Sequence, residues 1–255
     1  MSIPRAEISK KLLRKVGRAN GEYGLITEGD KIMVGLSGGK DSLSLIHILA
    51  HMKKVAPFSF DFVAATINYG MGENLAHLQA HCAEYGIEHR VIETEIFDMA
   101  QNHIRENSSF CSFFSRMRRG ALYSAALEEG CNKLALGHHL DDAVESFFMN
   151  FFYNGTMRSM APMYRADNGL VVIRPLIWAR ERQTQAFVQA NHFQAIGDEA
   201  CPAMQFPVKM PVARAKMKEF LSHLESEHEE LFTMASSAFR HVHDDTFFDK
   251  SRFKL

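Results

Sequence analysis

The chain has 255 residues, 46% of them hydrophobic, enough for one large domain or for a domain with a helical appendage. Its formal net charge is −1, so bulk charge announces no nucleic-acid partner, and any basic surface has to be local. No apolar run approaches the roughly 20 residues of a membrane-spanning helix. Four scattered cysteines, Cys82, Cys111, Cys131 and Cys201, with no secretory leader pattern ahead of them, predict free thiols in the cytoplasm.

In chain order, residues 7–20 (EISKKLLRKVGRAN) carry helical spacing. Ile8, Leu12, Leu13 and Val16 share a face, with Lys10, Lys11, Arg14, Lys15 and Arg18 around it. That basic rim is either a solvated face or a phosphate-contacting one. KIMVGLS then reads as a buried strand running into glycines, and SLSLIHILAHMKK as a helix with Leu45, Ile46, Leu49 and Met52 on one side. FDFVAATIN is a second strand, NLAHLQAHCAEYG a helix stopped at Gly86, and EHRVIETE a third strand. A helix over about 112–129 leads to KLALGHH, the fourth strand, and then to the helix DDAVESFFMNFFYNG, closed by Gly155. LVVIRPL is the fifth strand, and a helix follows near 180–192. Cys82 and Cys131 fall on apolar faces and read as core thiols.

This alternation predicts an α/β fold, a doubly wound parallel five-stranded sheet with helices on both faces and a C-terminal helical extension. The expected organisation is a basic N-terminal helical segment (1–27), a main α/β domain (28–200) and the extension (201–255). Ligands of such sheets sit at the carboxyl ends of the strands, which is where SGGKDS and GHHLDD both fall.

In SGGKDS, Gly38 and Gly39 let the backbone approach an anion, Ser37 and Ser42 offer hydroxyls, and Lys40 supplies a cation. The loop is not a Walker loop. Three residues rather than four separate Gly35 from Gly39, and Asp41 stands where that loop needs a hydroxyl for magnesium. A carboxylate there repels phosphate unless a metal stands between them, so the turn points to Mg²⁺-bound polyphosphate held in another geometry.

SGGKDS resembles the PP-loop of ATP pyrophosphatases, S-G-G-x-D-[ST], whose adenine nucleotide alpha hydrolase-like fold leaves the α-phosphate open to attack. EGDKIMVGLSGGKDS, CSFFSRMRRGALY, LALGHHLDD, NFFYNGTMRSMAP, IRPL and CPAMQ further resemble, in order, the tRNA 2-thiocytidine biosynthesis family over nearly the whole chain. The resemblance implies a transferase that binds ATP and Mg²⁺, adenylates a tRNA cytidine at its C2 oxygen, releases pyrophosphate and replaces AMP by sulfur. It makes residues 28–200 a PP-loop ATP pyrophosphatase domain. It implies that Lys40 and Asp41 serve catalysis, with Asp41 on the metal. Ser37, Gly38, Gly39, Lys40, Asp41, Ser42, Gly137, His138, Asp141, Asp142 and Arg174 would line the nucleotide, and the backbone of Ala65, Thr66 and Ile67 would border adenine. Arg116, Arg118 and Arg119, with Lys10, Lys11, Arg14 and Lys15, would bind RNA. A sulfur-donor protein and a homodimer are implied as well.

The family's [4Fe–4S] cluster has three cysteine ligands, which fall at Cys111, Phe114 and Met204. This divergent member has therefore lost two thiolates, which argues against a cluster of that type. Cys111 and Cys201 could then work as a persulfide-carrying and a resolving thiol. The alternatives are a changed nucleophile or substrate, or a non-catalytic nucleotide-responsive RNA-binding protein.

Overall fold

The computed structural model describes residues 3–103, 110–197 and 212–252. The strands β1 (Lys31–Gly35), β2 (Asp61–Asn68), β3 (His89–Glu93), β4 (Lys133–Ala135), β5 (Met163–Arg165) and β6 (Val171–Ile173) form one sheet in the order β3-β2-β1-β4-β6-β5. The five strands expected from the sequence are all present and mutually parallel. A sixth strand, β5, joins them antiparallel to β6 at the edge. The order reverses direction between β1 and β4, so the crevice where such folds bind ligands opens above the carboxyl ends of these two neighbours.

The helices are α1 (Lys10–Tyr23), α2 (Lys40–Val55), α3 (Ala76–Glu84), α4 (Ile96–His103), α5 (Phe110–Glu128), α6 (Leu140–Asn154), α7 (Glu181–Ala190), α8 (Val212–Glu227) and α9 (Leu231–Ala238). Side chains alternate along the strands, so each face of the sheet has its own core. Ile32, Val34, Ala64, Ala135 and Ile173 pack with α1, α2, α3 and α7. Met33, Val63, Ala65, Ile67 and Leu134 pack with α4 and α5. Leu43, Leu45, Ile46, Ile48 and Leu49 make α2 apolar almost all round, which suits a helix covered by both the sheet and α7. Cys82 and Cys131 are buried free thiols; burial pushes Cys82 up to about 11, and Cys131 shifts the same way.

The N-terminal helix shares the main core through Leu12, Val16 and Ala19. The end of the chain docks on α6 through a third cluster, Leu140, Val144, Met217, Leu221 and Phe232. Arg180 pins that docking: its guanidinium bonds both oxygens of Glu225 at 2.7 and 2.8 Å, reaches Asp141 at 3.0 Å and lies 3.5 Å from the centre of the Phe232 ring.

Candidate active site

β1 ends in the glycine turn. Gly38 takes φ +82°, a left-handed conformation that a residue with a Cβ enters only at a cost, and Gly39 is the N-cap of α2 without a side-chain cap bond. The first N–H groups of α2 thus have no acceptor within the helix and face the crevice, as an anion site requires. Ser42 Oγ donates to the Gly39 carbonyl at 2.9 Å, accepts from the Ser37 N–H at 3.2 Å and lies 3.2 Å from Ser37 Oγ, which fixes the turn. Gly137, after β4, lies against the same turn: a Cβ there would come within 3.1 Å of the Asp41 carbonyl carbon and the Ser42 nitrogen. Gly137 therefore permits close packing of the two strand ends.

Lys40 and Asp41 lie at the mouth of the turn, joined at 3.1 Å, with Lys40 also 3.1 Å from Glu181 on α7. Burial alone would lower the Lys40 ammonium, but Asp41 and Glu181 outweigh it and hold it above its ordinary value. Burial likewise opposes charge on Glu181, yet Lys218 and Lys40 bring that carboxyl down to about 2. Thr184 donates its hydroxyl to Asp41 Oδ1, and His139 Nε2 stands 3.6 Å from the same oxygen. Helix α7 thus supports the residues proposed for catalysis. Glu181 and Thr184 were not foreseen, because their places follow from how α7 packs against the turn and from no local motif; His139 lies inside GHHLDD, where only its neighbours were singled out.

The remaining expected nucleotide residues divide. Asp141 accepts from Arg180 Nε at 3.0 Å and from the Glu181 N–H at 2.8 Å, so it ties α6 to α7. Asp142 closes the capping box of α6 with His139 and pairs with Arg214 at 2.9 Å. His138 is mostly buried, and its Nδ1 has no partner among the described residues. Burial, with Arg174, Arg118 and Arg214, brings its pKa down to about 4 against the pull of Asp142. Arg174 is buried beyond the end of β6. In β2, Ala65 is the last residue paired with β1, while pairing with β3 continues to Asn68. The edge of β2 from Thr66 onward therefore faces the glycine turn with no strand beside it.

Comparisons with known proteins bear on this arrangement. The family model described as the PP-loop domain matches residues 7–208. The tRNA-cytidine(32) 2-sulfurtransferase of Geobacter metallireducens is 44% identical over 220 residues, 86% of this chain and 84% of that protein. The chain belongs to the PP-loop tRNA-cytidine(32) 2-sulfurtransferase family. The sulfurtransferase of that name from Pseudomonas syringae is 42% identical over 80% of this chain and 76% of its own. The solved U34-tRNA thiolase of Methanococcus maripaludis, described with its [4Fe–4S] cluster, shares the fold with TM-score 0.72 at 23% identity, over 92% of this chain and 80% of that one.

Of the three positions that the resemblance gives to cluster ligands, the one whose side chain is described, Phe114, does not fit that role. Phe114 is 5% exposed, packed in the second core with Tyr69 and Phe113 at ring distances of 6.0 and 5.9 Å, and its ring offers no iron ligand. Cys201 and Met204 lie outside the described residues, as does the side chain of Cys111, in the first turn of α5. Magnesium is a different case. It takes one or two carboxylates and completes its shell with phosphate oxygens and water, so a lone Asp41 suits it even though no group of three or more metal-ligating side chains occurs among the described residues.

The basic residues expected to meet RNA are exposed or nearly so. Lys10, Lys11 and Arg14 lie on the outside of α1, and Arg116, Arg118 and Arg119 on the outside of α5. Lys15 is half-buried, with its pKa lowered by burial and by neighbouring Arg18, Lys11 and Arg180. The two helices cover opposite faces of the sheet in this sulfurtransferase relative, so they offer two separate basic surfaces. Among the described residues, no helix is long and apolar enough to cross a membrane.

Proposed function

We propose that the chain is a cytoplasmic ATP-dependent tRNA-modifying enzyme that adenylates a cytidine at its C2 oxygen and then replaces the activated oxygen by sulfur. The observation that carries this reading is the uncapped start of α2 behind Gly38 and Gly39, with Asp41 held at its mouth by Lys40 and Thr184. The backbone N–H groups, Ser37, Ser42 and Lys40 bind the outer two phosphates; Asp41 would hold Mg²⁺, which would supply further charge neutralisation for the departing pyrophosphate. The open edge of β2 supports an adenine seat along Thr66 and Ile67, next to Ala65.

The base carbonyl oxygen attacks the α-phosphorus, the bond to the bridging oxygen breaks, and pyrophosphate leaves. A sulfur nucleophile then adds at C2, and AMP departs with the former carbonyl oxygen. With no family cluster, the sulfur carrier is a persulfide on Cys111 or Cys201, loaded by a donor protein. After its terminal sulfur joins the base, the other thiol attacks the carrier sulfur. The thiolated base is released, the two cysteines form a disulfide, and an external thiol reductant resets them. Exposed Phe151, Phe152, Tyr153 and Met157 support the expected homodimer.

Phe114 favours one other reading, the same adenylation followed by a different nucleophile. Unmodified tRNA incubated with the enzyme, Mg²⁺-ATP and a persulfide donor, then digested and analysed by mass spectrometry, tests both. A mass gain of sulfur-for-oxygen at a cytidine supports thiolation. AMP release with another nucleoside adduct supports the second reading, and ATP binding with no pyrophosphate release contradicts both.

A further inference from the structure

A second group of basic side chains gathers around the end of β6, two strands from the glycine turn, with no carboxylate paired to Arg174 among the described residues. Arg174 is 8% exposed. Its Nη1 donates to the Ala161 carbonyl at 2.6 Å, its guanidinium carbon lies 5.3 Å from the centre of the Tyr164 ring, and its Nε has no acceptor among the described residues. Among the described residues, the groups that act most on it are Tyr164, which also hydrogen-bonds it, Arg119 and Tyr123, and none of these is a carboxylate. Tyr164 and Tyr123 share a hydroxyl hydrogen bond of 2.8 Å, and burial raises the Tyr123 phenol well above its ordinary value, so this pair supplies hydroxyls and no counter-charge. His138 feels Arg174 and Arg118, and its Nδ1 is also without a partner among the described residues. The nearest carboxylate, Asp142, is committed to the His139 N–H at 3.0 Å and to Arg214 at 2.9 Å. On α5, Arg118 and Arg119 are exposed, and their charges act on His138 and on Arg174 respectively. A buried cation without a counter-ion is costly unless a ligand supplies one.

We propose that Arg174, His138, Arg118 and Arg119 form a second anion site, and that its occupant is a backbone phosphate of the RNA substrate. β6 is the second strand from β1, which sets the two sites about 10 Å apart. A triphosphate gripped by its outer end in the glycine turn does not need this second grip, whereas an RNA strand delivering a base to the space between the sites carries a phosphate on either side of that base. The site stands on its own geometry; the RNA source rests on the reading given above. In that assignment Arg174, expected from the sequence to line ATP, serves the other substrate.

The test begins with inorganic phosphate, titrated while the His138 ring nitrogens are followed by NMR. Phosphate should shift the wild-type resonances and raise the pKa of His138, and should do neither in Arg174→Gln; no wild-type response overturns the site. Affinities for tRNA and Mg²⁺-ATP follow. Arg174→Gln should weaken tRNA binding about tenfold and make the salt dependence of log K shallower by about 0.9, one phosphate contact, with ATP affinity held within about twofold. Exposed Arg119→Gln should weaken tRNA binding in the same direction without disturbing the core, which keeps the test valid if Arg174→Gln fails to fold. A loss of ATP affinity with tRNA binding intact hands the phosphate to the nucleotide and overturns the assignment alone. Wild-type protein that takes phosphate but no tRNA overturns the assignment together with the functional reading.

Discussion

The backbone N–H of Ile196 donates to the carbonyl oxygen of Gly38 at 2.9 Å, tying the stretch after α7 to the glycine turn. The Ile196 side chain fills the space beside Gly38, so that a Cβ on Gly38 would stand 2.4 Å from Ile196 Cδ1 and 2.9 Å from Cγ1. The turn is thus closed from behind by a residue five positions before Cys201 in the sequence.

Gly38→Ala meets that contact and the left-handed backbone together. It should lower stability by at least about 1–2 kcal/mol from the backbone conformation alone and abolish measurable ATP binding. Thermal unfolding and isothermal titration with Mg²⁺-ATP check this. ATP affinity within twofold of wild type would show that the turn does not hold the phosphates.

Much of this was legible in the chain. The five parallel strands follow from short apolar runs that end in glycine or polar turns, and SGGKDS gives its own position because a strand precedes it and a helix follows. β5 was missed because three residues, Met163–Arg165, carry no alternation and become a strand only by pairing with β6. α4 was missed because eight residues, Ile96–His103, show too few turns of periodicity. Among site residues, Ser37 to Ser42 were readable from the motif. Glu181 and Thr184 were not, because nothing in RERQTQ says that α7 will pack against α2. That Arg180 and Arg214 pair with Asp141 and Asp142 was not legible either, because those partners come from α7 and α8.

Stability should fall in acid in two stages. The buried imidazole of His47, 2.8 Å from His81 Nε2 and packed among Tyr85, Phe187 and Phe193, is brought by burial and by His81 from 6.5 down to about 3. The unfolded chain takes up that proton below 6.5 and the folded chain resists it, so stability declines as pH falls from 6.5 toward 3. Glu181, held at about 2 against an ordinary 4.5, contributes stability that is full above 4.5 and is lost as pH falls toward 2. Melting temperatures measured between pH 8 and 3 should show His47→Gln flattening the limb that begins at 6.5, and Glu181→Gln the limb below 4.5. Curves parallel to wild type would contradict the assignment.

Phe114 contributes to the core what it withholds from iron. Phe114→Cys should destabilise the fold by up to the about 3–5 kcal/mol typical of a buried Phe cut to Ala. Combined with Met204→Cys, it restores three cysteines at 111, 114 and 204. After anaerobic reconstitution with iron and sulfide, the double variant should gain the broad visible absorbance of a cluster, and wild type should stay colourless. A brown wild-type protein would overturn the reading of Phe114.

The most direct measurement follows the fate of ATP labelled at the α-phosphate, with unmodified tRNA and Mg²⁺. If the glycine turn grips the outer phosphates and exposes the innermost, the label appears as AMP, with one pyrophosphate released per base modified, and Lys40→Met slows this about 10²–10³-fold. Label recovered as ADP, with inorganic phosphate as the other product, would contradict it.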